Sequence, residues 1–343
     1  MSNSIDDSME RSRVKYSLYK EIVYDNRLFK PMSQIFKKER VLIRPHKRPD
    51  GDCVGSAIAL MLALKNAGYE AVIQCPDECP DNLKFLPKTE FFSTEVPKGK
   101  FDIIFYVDSH DTSSTSNSEV EGDPVTVNID HHQTNALFAK HNVVDPDSPS
   151  CSMMIKMLLD LYGFKIDADI AFCIMAGIIF DTGGLKNLNT TPEALRVVAE
   201  MSEICDRSFL EIVSKMYAIS PESFINRMNL FSEIKFENDG KIAWLFVEKP
   251  QKDRVSHMRA GEEMRDIEGV QASVVFKPIG GGMRVSFRSV EIDVSAVAQE
   301  LNPTGGGHKL AAAVSLTGEK DEIIKNVIEK LTEKIDGKVP ETN

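Results

Sequence analysis

VLIRPHKRPDGDCVGSAIALMLALKNAG, residues 41–68, decides the fold. Its first three residues, Val41-Leu42-Ile43, read as a short buried strand. A polar stretch, His46-Lys47-Arg48-Pro49-Asp50-Gly51-Asp52, ends the apolar run. Residues 53–67 then predict an apolar helix, closed by Gly68. Strand, polar loop and helix in that order open a βαβ unit.

Working outward, Ala71-Val72-Ile73, FDIIFYV (101–107) and PVTVNI (124–129) are further strand candidates bounded by turn residues. Helical patterns follow at 151–162, 169–180 and 192–204, the last with Pro192 in its first turn. Strands alternating with helices imply an α/β fold with a doubly wound, mostly parallel sheet. The style changes after about residue 205, the point where the βαβ alternation stops. A helical linker over 206–222 leads to a helix at 223–232 and strands at 233–237 and 241–248, joined by the hairpin signal Asn238-Asp239-Gly240. Strands at 270–277 and 283–288 and a closing helix at 319–335 complete a second, smaller α+β domain. The expected division is an N-terminal extension (1–35), a first domain (36–205), the linker and a second domain (223–338). In the extension, Val14, Leu18, Ile22 and Val23 carry a weak helical spacing. The active site is expected in the cleft between the two domains.

The chain has 343 residues, of which 42% are hydrophobic and 27% charged, a soluble globular balance with enough apolar surface for two cores. No apolar run reaches the roughly 20 residues that span a bilayer. The polar N-terminus lacks the apolar stretch of a secretory signal, so the cytoplasm is the expected compartment and no membrane partner is expected. Six scattered cysteines do not make a disulfide framework, and Cys75 and Cys79 lack the second pair a zinc site needs. A net charge of −11 argues against a long nucleic-acid substrate, whose binding takes a basic stripe. A substrate with only two or three phosphates could still meet a metal and a few cations.

Five groups of potential ligands stand out: His46 with Asp50 and Asp52, Asp108-Ser109-His110-Asp111, Asp130-His131-His132, Asp181-Thr182-Gly183-Gly184, and Gly305-Gly306-Gly307-His308. Three of them follow predicted strands, at the edge where open α/β sheets bind ligands. Each alone has a plainer reading. Asp-Gly-Asp is commonly a turn, Asp181 a helix-end residue, and the glycine run a flexible loop. Together they gather carboxylates that repel one another unless cations neutralise them, with imidazoles as borderline ligands. Asp and His in this mixture suit Mn²⁺, with Mg²⁺ or Zn²⁺ as alternatives. Two ions about 3.5–4 Å apart suit attack on phosphorus.

In this order, His46-x3-Asp50-Gly51-Asp52, Val107-Asp108-Ser109, Asp130-His131-His132, Asp181-Thr182-Gly183 and Gly305-Gly306-Gly307-His308 resemble the DHH phosphoesterase superfamily. The branch is the one with a DHH-associated C-terminal domain, of the stand-alone nanoRNase and oligoribonuclease type. The resemblance covers roughly residues 30–335 and includes NTTPEALRVVAE and SFRS. It implies one metal on His46, Asp50 and Asp108 and another on Asp52, Asp108, His131 and Asp181, with Asp108 bridging. It implies that His132 sits near the scissile phosphate, and that Arg288 with Gly305, Gly306, Gly307 and His308 holds the far end of the substrate. The implied activity is hydrolysis of short oligoribonucleotides and linear dinucleotides (pGpG, pApA) to mononucleotides. Alternatives are cyclic di-AMP cleavage, removal of phosphate from 3′-phosphoadenosine 5′-phosphate, or a nucleotide sensor without catalysis. Partners would be short RNA or a dinucleotide and, in a homodimer, a second copy of the chain. The sequence departs from the family pattern at Val290, at Ala313 and in the segment after Asp111, positions associated with substrate contacts rather than metals.

Overall fold

A computed structural model describes residues 40–116, 118–216, 218–248 and 260–337; the expected N-terminal extension lies outside the described residues. The chain divides into two compact units between Ala218 and Ile219.

In the first unit, β1 (Arg40–Pro45) enters α1 (Gly51–Asn66), and β2 (Glu70–Gln74) and the short β3 (Phe92–Ser93) follow. Then come β4 (Ile103–Val107), β5 (Val125–Asp130), β6 (His141–Val144), α2 (Cys151–Leu161), α3 (Ala168–Asp181), α4 (Pro192–Cys205) and α5 (Phe209–Met216). The six strands lie in the order β3-β2-β1-β4-β5-β6, and every neighbouring pair is parallel. Registers such as Ile43↔Ile73 and Leu42↔Ile104 stack apolar residues across the centre. The chain leaves β1 to one side, through β2 and β3, and returns on its other side at β4. That reversal opens a crevice beyond the carboxyl ends of β1 and β4.

β1 runs two residues past the apolar triplet. Arg44, only 3% exposed, is carried into the sheet because its guanidinium donates to the Ser118 carbonyl at 2.6 Å and hydroxyl at 2.8 Å. α1 is buried along most of its length and packs on α3. Two glycines permit the approach. A Cβ at Gly55 would lie 2.5 Å from the Cys173 carbonyl oxygen, and one at Gly177 would lie 1.9 Å from the Ser152 hydroxyl.

The second unit holds α6 (Pro221–Phe231), β7 (Lys235–Glu237), β8 (Ile242–Phe246), α7 (Ala260–Arg265), β9 (Ala272–Ile279), β10 (Gly282–Ser289), α8 (Val294–Leu301), β11 (Gly306–His308), β12 (Ala311–Thr317) and α9 (Lys320–Asp336). Its sheet runs β11-β12-β10-β9-β8-β7, antiparallel except for the parallel β8–β9 pair. The Asn238-Asp239-Gly240 hairpin forms, with all three residues at positive φ. Trp244 is buried on β8, as a core residue should be.

β12 opens on Ala311-Ala312-Ala313, and alanine favours helices; here pairing with β10 over Gly282–Arg288 overrides that preference. Gly305–His308, which taken alone reads as a flexible loop, is largely the edge strand β11, with Gly306 opposite Ala313 and Gly307 opposite Ala312. The helices α7 and α8 and the strands β3, β6 and β12 have no counterpart in the sequence reading. Among the described residues, no helix is long and apolar enough to cross a membrane.

Candidate active site

The loop after β1 supplies His46, the N-terminus of α1 supplies Asp50 and Asp52, and the ends of β4 and β5 supply Asp108 and Asp130-His131-His132. Asp181 is the last residue of α3, so it belongs to the helix rather than following it. All lie in the first unit.

Asp50 is the N-cap of α1: its Oδ1 accepts from the backbone N–H of Asp52 at 3.1 Å and of Cys53 at 3.0 Å. Such a cap stabilises a helix by about 1 kcal/mol. Asp-Gly-Asp is therefore a helix start and not a free turn. Asp52, fully buried, caps a different helix; its two carboxylate oxygens accept from Cys151 N (2.6 Å) and Ser152 N (2.8 Å) at the start of α2. Gly177 leaves room for this, since a Cβ there would also lie 2.6 Å from Asp52 Oδ1. Ser150 is the N-cap of α2, accepting from Met153 N, so a cap is its role here.

Asp108 sits at φ +55°, a left-handed conformation that costs a non-glycine residue about 1–2 kcal/mol. The turn aims its carboxylate at three imidazoles. Oδ2 lies 3.3 Å from His46 Nε2, and Oδ1 lies 3.6 Å from His131 Nε2 and 3.7 Å from His132 Nδ1. Oδ1 accepts no hydrogen bond although the side chain is 2% exposed. A buried carboxylate oxygen without a donor is costly unless a cation meets it.

The metal-directed histidines are held from behind. His46 Nδ1 faces the Lys47 carbonyl at 2.8 Å and His131 Nδ1 the Ser148 carbonyl at 3.3 Å, which leaves Nε2 of each ring facing the carboxylates. His131 Nε2 lies 3.0 Å from Asp181 Oδ2 and 3.9 Å from Asp52 Oδ2. His132 is held differently. Its Nδ1 lies 2.7 Å from Asp130 Oδ1, and Asp130 Oδ2 accepts from Asn135 Nδ2 at 2.6 Å. Asn135 Nδ2 also reaches Asn128 Oδ1 at 2.7 Å, and Asn128 Nδ2 donates to the Ser109 carbonyl at 2.9 Å. Asp130, Asn135 and Asn128 thus brace the ring of His132 through Nδ1. Sequence reasoning assigned Asp130 no task and passed over Asn135 and Asn128.

Electrostatics record the crowding. Burial alone would lower the imidazole of His46, yet its hydrogen bond to Asp108 and the charges of Asp108 and Asp50 raise it from 6.5 to about 9. His131 is likewise held well above the ordinary range against its burial, through Asp181, Asp108 and Asp52. Asp52 is pushed well up by burial and by Asp108 and Asp181. Asp50, with 39% of its side chain exposed, is pushed to about 7 by burial and the same two neighbours. Asp108 is held down at about 2 in spite of burial, by His46, His131 and His132.

Three donor clusters form, each with ligand atoms within 4.8 Å of one another: His46, Cys53 and Asp108; Asp108, His131 and His132; Asp52, His131 and Asp181. Asp108 and His131 each belong to two of them. Asp50 Oδ1 lies 3.9 Å from His46 Nε2, close by but in none of the three. If all four ionise, the carboxylates of Asp50, Asp52, Asp108 and Asp181 carry four negative charges, which two divalent cations would neutralise. The donors fit such ions, oxygen-rich with imidazole nitrogen. Cys75 and Cys79 join no cluster among the described residues.

Arg288 and Gly305–His308 lie in the second unit. Arg288 Nε donates to Glu262 Oε1 at 2.8 Å and Nη1 to the Phe287 carbonyl at 2.9 Å. The fork is therefore already paired with a carboxylate, a partner the sequence did not suggest. Gly305 and Gly307 have packing reasons to be glycine, since a Cβ on either would lie 2.5 Å from a backbone carbonyl oxygen. A Cβ on Gly306 would meet only the Gln299 side-chain amide, at 3.8 Å.

Comparison with known proteins agrees with this geometry. The model of the DHH family, N-terminal domain, matches residues 40–178, and that of the DHHA1 domain matches residues 237–336. The bifunctional oligoribonuclease and PAP phosphatase NrnA of Thermus thermophilus is 33% identical over 299 residues, covering 86% of this chain and 90% of that protein. The protein of the same name from Bacillus subtilis is 25% identical, covering 84% and 94%. Among solved structures, an exopolyphosphatase-related protein from Bacteroides fragilis superposes with a TM-score of 0.78 at 21% identity, over 90% of this chain and 96% of that one.

Proposed function

We propose, for a chain that belongs to the DHH family with a DHHA1 domain and is on that ground a phosphoesterase, the hydrolysis of short oligoribonucleotides and linear dinucleotides to mononucleotides. The observation that carries the reading is the unpartnered, buried Asp108 Oδ1 amid four carboxylates and three imidazoles. Two divalent ions, with Mn²⁺ favoured by the mixed oxygen and nitrogen donors, would supply Lewis acidity for the phosphoryl oxygens and an ionised water. His46, Asp50 and Asp108 would hold one and Asp52, Asp108, His131 and Asp181 the other.

The chain's own residues do the rest. His132, fixed through Nδ1 by Asp130, offers Nε2 for a proton to the leaving oxygen or a hydrogen bond to the scissile phosphate. Arg288 and the Gly305–His308 segment would take the part of the substrate away from that phosphate. A guanidinium fork suits phosphate oxygens, and glycine at 306 keeps a side chain out of the way of a ligand approaching the edge strand. Arg288 must exchange Glu262 for substrate, so binding is weaker by the cost of that exchange. The reading includes the cytoplasm as compartment and self-association as a dimer, which sedimentation would check.

The names of the two relatives favour a second activity on the same centre, removal of phosphate from 3′-phosphoadenosine 5′-phosphate. A panel of pApA, pGpG, this mononucleotide and cyclic di-AMP, each with and without chelator, tests the reading. Metal-dependent turnover of the linear dinucleotides is expected. Turnover of the cyclic compound alone would replace the reading, and binding of all four without turnover would favour a sensor.

A further inference from the structure

Cys53 lies in the first turn of α1, three residues after the cap and fully buried, facing the centre rather than the core behind it. Its Sγ, a ring nitrogen of His46 and a carboxylate oxygen of Asp108 come within 4.8 Å of one another. Ligands of one ion at about 2.0–2.3 Å lie no more than about 4.6 Å apart, so only small side-chain shifts separate this cluster from a coordination set.

Three further observations point the same way. First, the thiol has little else to do. Its hydrogen bond, to the His46 carbonyl, is 3.8 Å long, and Cys75 reaches that same oxygen at 3.4 Å. Second, the other two donors are ready for a cation. His46 has Nδ1 turned to the Lys47 carbonyl and Nε2 3.3 Å from Asp108 Oδ2, while the other oxygen of Asp108, Oδ1, is buried without a donor on the side of His131 and His132. Third, Asp50 spends Oδ1 on the N–H groups of Asp52 and Cys53. An ion held by His46, Asp108 and the other oxygen of Asp50 still has an open position, which a sulfur on the same turn can reach.

We propose that Cys53 is a sulfur donor to the metal position built by His46 and Asp108, and that it biases this position towards a thiophilic divalent ion such as Zn²⁺ or Co²⁺. The inference rests on the two-metal reading above. As the sulfur binds, the thiol proton leaves to solvent and the sulfur–metal bond replaces the bond to hydrogen. The position built by Asp52, His131 and Asp181 has no sulfur donor in its cluster and keeps a preference for harder ions. The chain then carries two unlike positions and fills them with different ions.

The test is titration of the metal-free full chain with Co²⁺, followed by absorption spectroscopy. The wild type is expected to bind two ions and to show a sulfur-to-cobalt charge-transfer band in the near ultraviolet. Cys53→Ser should lose the band while binding two ions, and Cys75→Ala should keep it. In competition, Cys53→Ser should shift the Zn²⁺/Mn²⁺ preference of the wild type towards Mn²⁺ by about tenfold or more. Two bound cobalt ions without the band in the wild type would overturn the role of Cys53 and leave the two-metal reading standing, whatever the fate of the variants. A band that survives in Cys53→Ser would overturn it too. No cobalt bound by the wild type would remove both.

Discussion

The two units keep their polar groups in opposite ways. In the parallel-sheet unit, Asp52, Asp108 and Asp130 are at most 2% exposed, and backbone N–H groups, imidazoles and amides hold them. In the antiparallel unit, Arg288 is 30% exposed and paired with Glu262. A buried polar network works only when nearly complete, because each lost partner leaves an uncompensated group in a low dielectric. A half-exposed pair can exchange partners with water or ligand at small cost. On the proposed reading, the chemistry belongs to the first unit and the choice of substrate to the second.

Breaking the first unit's network should therefore do the greater damage. Asp108→Ala removes the carboxylate common to two donor clusters, and kcat/KM should fall by about a thousandfold or more, the scale of several kcal/mol of lost charge stabilisation. Asn135→Ala touches no metal donor but frees Asp130, the brace of His132. We expect kcat to fall about 10–100-fold with KM and metal stoichiometry nearly unchanged, as for other residues behind an active group. An unchanged kcat would remove the brace.

In the second unit, Arg288→Ala should act mainly on KM, raising it about tenfold, the cost of one charge-assisted contact to a non-reacting phosphate. Glu262→Gln sharpens the comparison. It releases the guanidinium from its carboxylate and should lower KM severalfold while kcat stays the same. Steady-state kinetics on a dinucleotide separates the two parameters, and a collapse of kcat in either variant would erase the division of labour.

The smallest effect concerns stability. In the metal-free protein His46 is raised from 6.5 to about 9, so its contribution is complete below pH 6.5 and lost as pH climbs through about 9. Asp50, raised to about 7, and Asp52, raised well above its ordinary value, act in the same direction. The Tm of metal-free protein should fall by several degrees from pH 6.5 to 9. With metal bound, cations stand where those protons stood, and the profile should flatten. A flat profile without metal would contradict the crowding of charge described here.

Much of this was legible in the sequence because strand ends announce themselves. Apolar runs stop at His46, Asp108 and Asp130, and a parallel sheet gathers such ends on one edge. The strands lost to the reading had no such mark. Ala311–Ala313 has the composition of a helix, and only its partners across β10 and β11 make it a strand. Contacts distant in sequence were equally silent. Glu262 meets Arg288 across 26 residues, and Asp52 caps a helix some 100 residues away. Asn135 sits in a polar stretch without periodicity. Cys53 reads as one more apolar position in a helix until the fold turns it towards His46 and Asp108. Nor does the sequence show that Asp108 takes φ +55°.

The most direct test of the account is a ladder of end-labelled RNAs, from two to about twenty nucleotides, digested at two salt concentrations after chelation and Mn²⁺ add-back. With a net charge of −11, acidic groups outnumber the cations that could meet the phosphates of a longer strand, so each added nucleotide gains little. We predict no cleavage in chelator, kcat/KM highest for the dinucleotide, a steep fall beyond roughly five nucleotides and a mild dependence on salt. Cleavage of the longest RNA as fast as the dinucleotide, or full activity without metal, would contradict it.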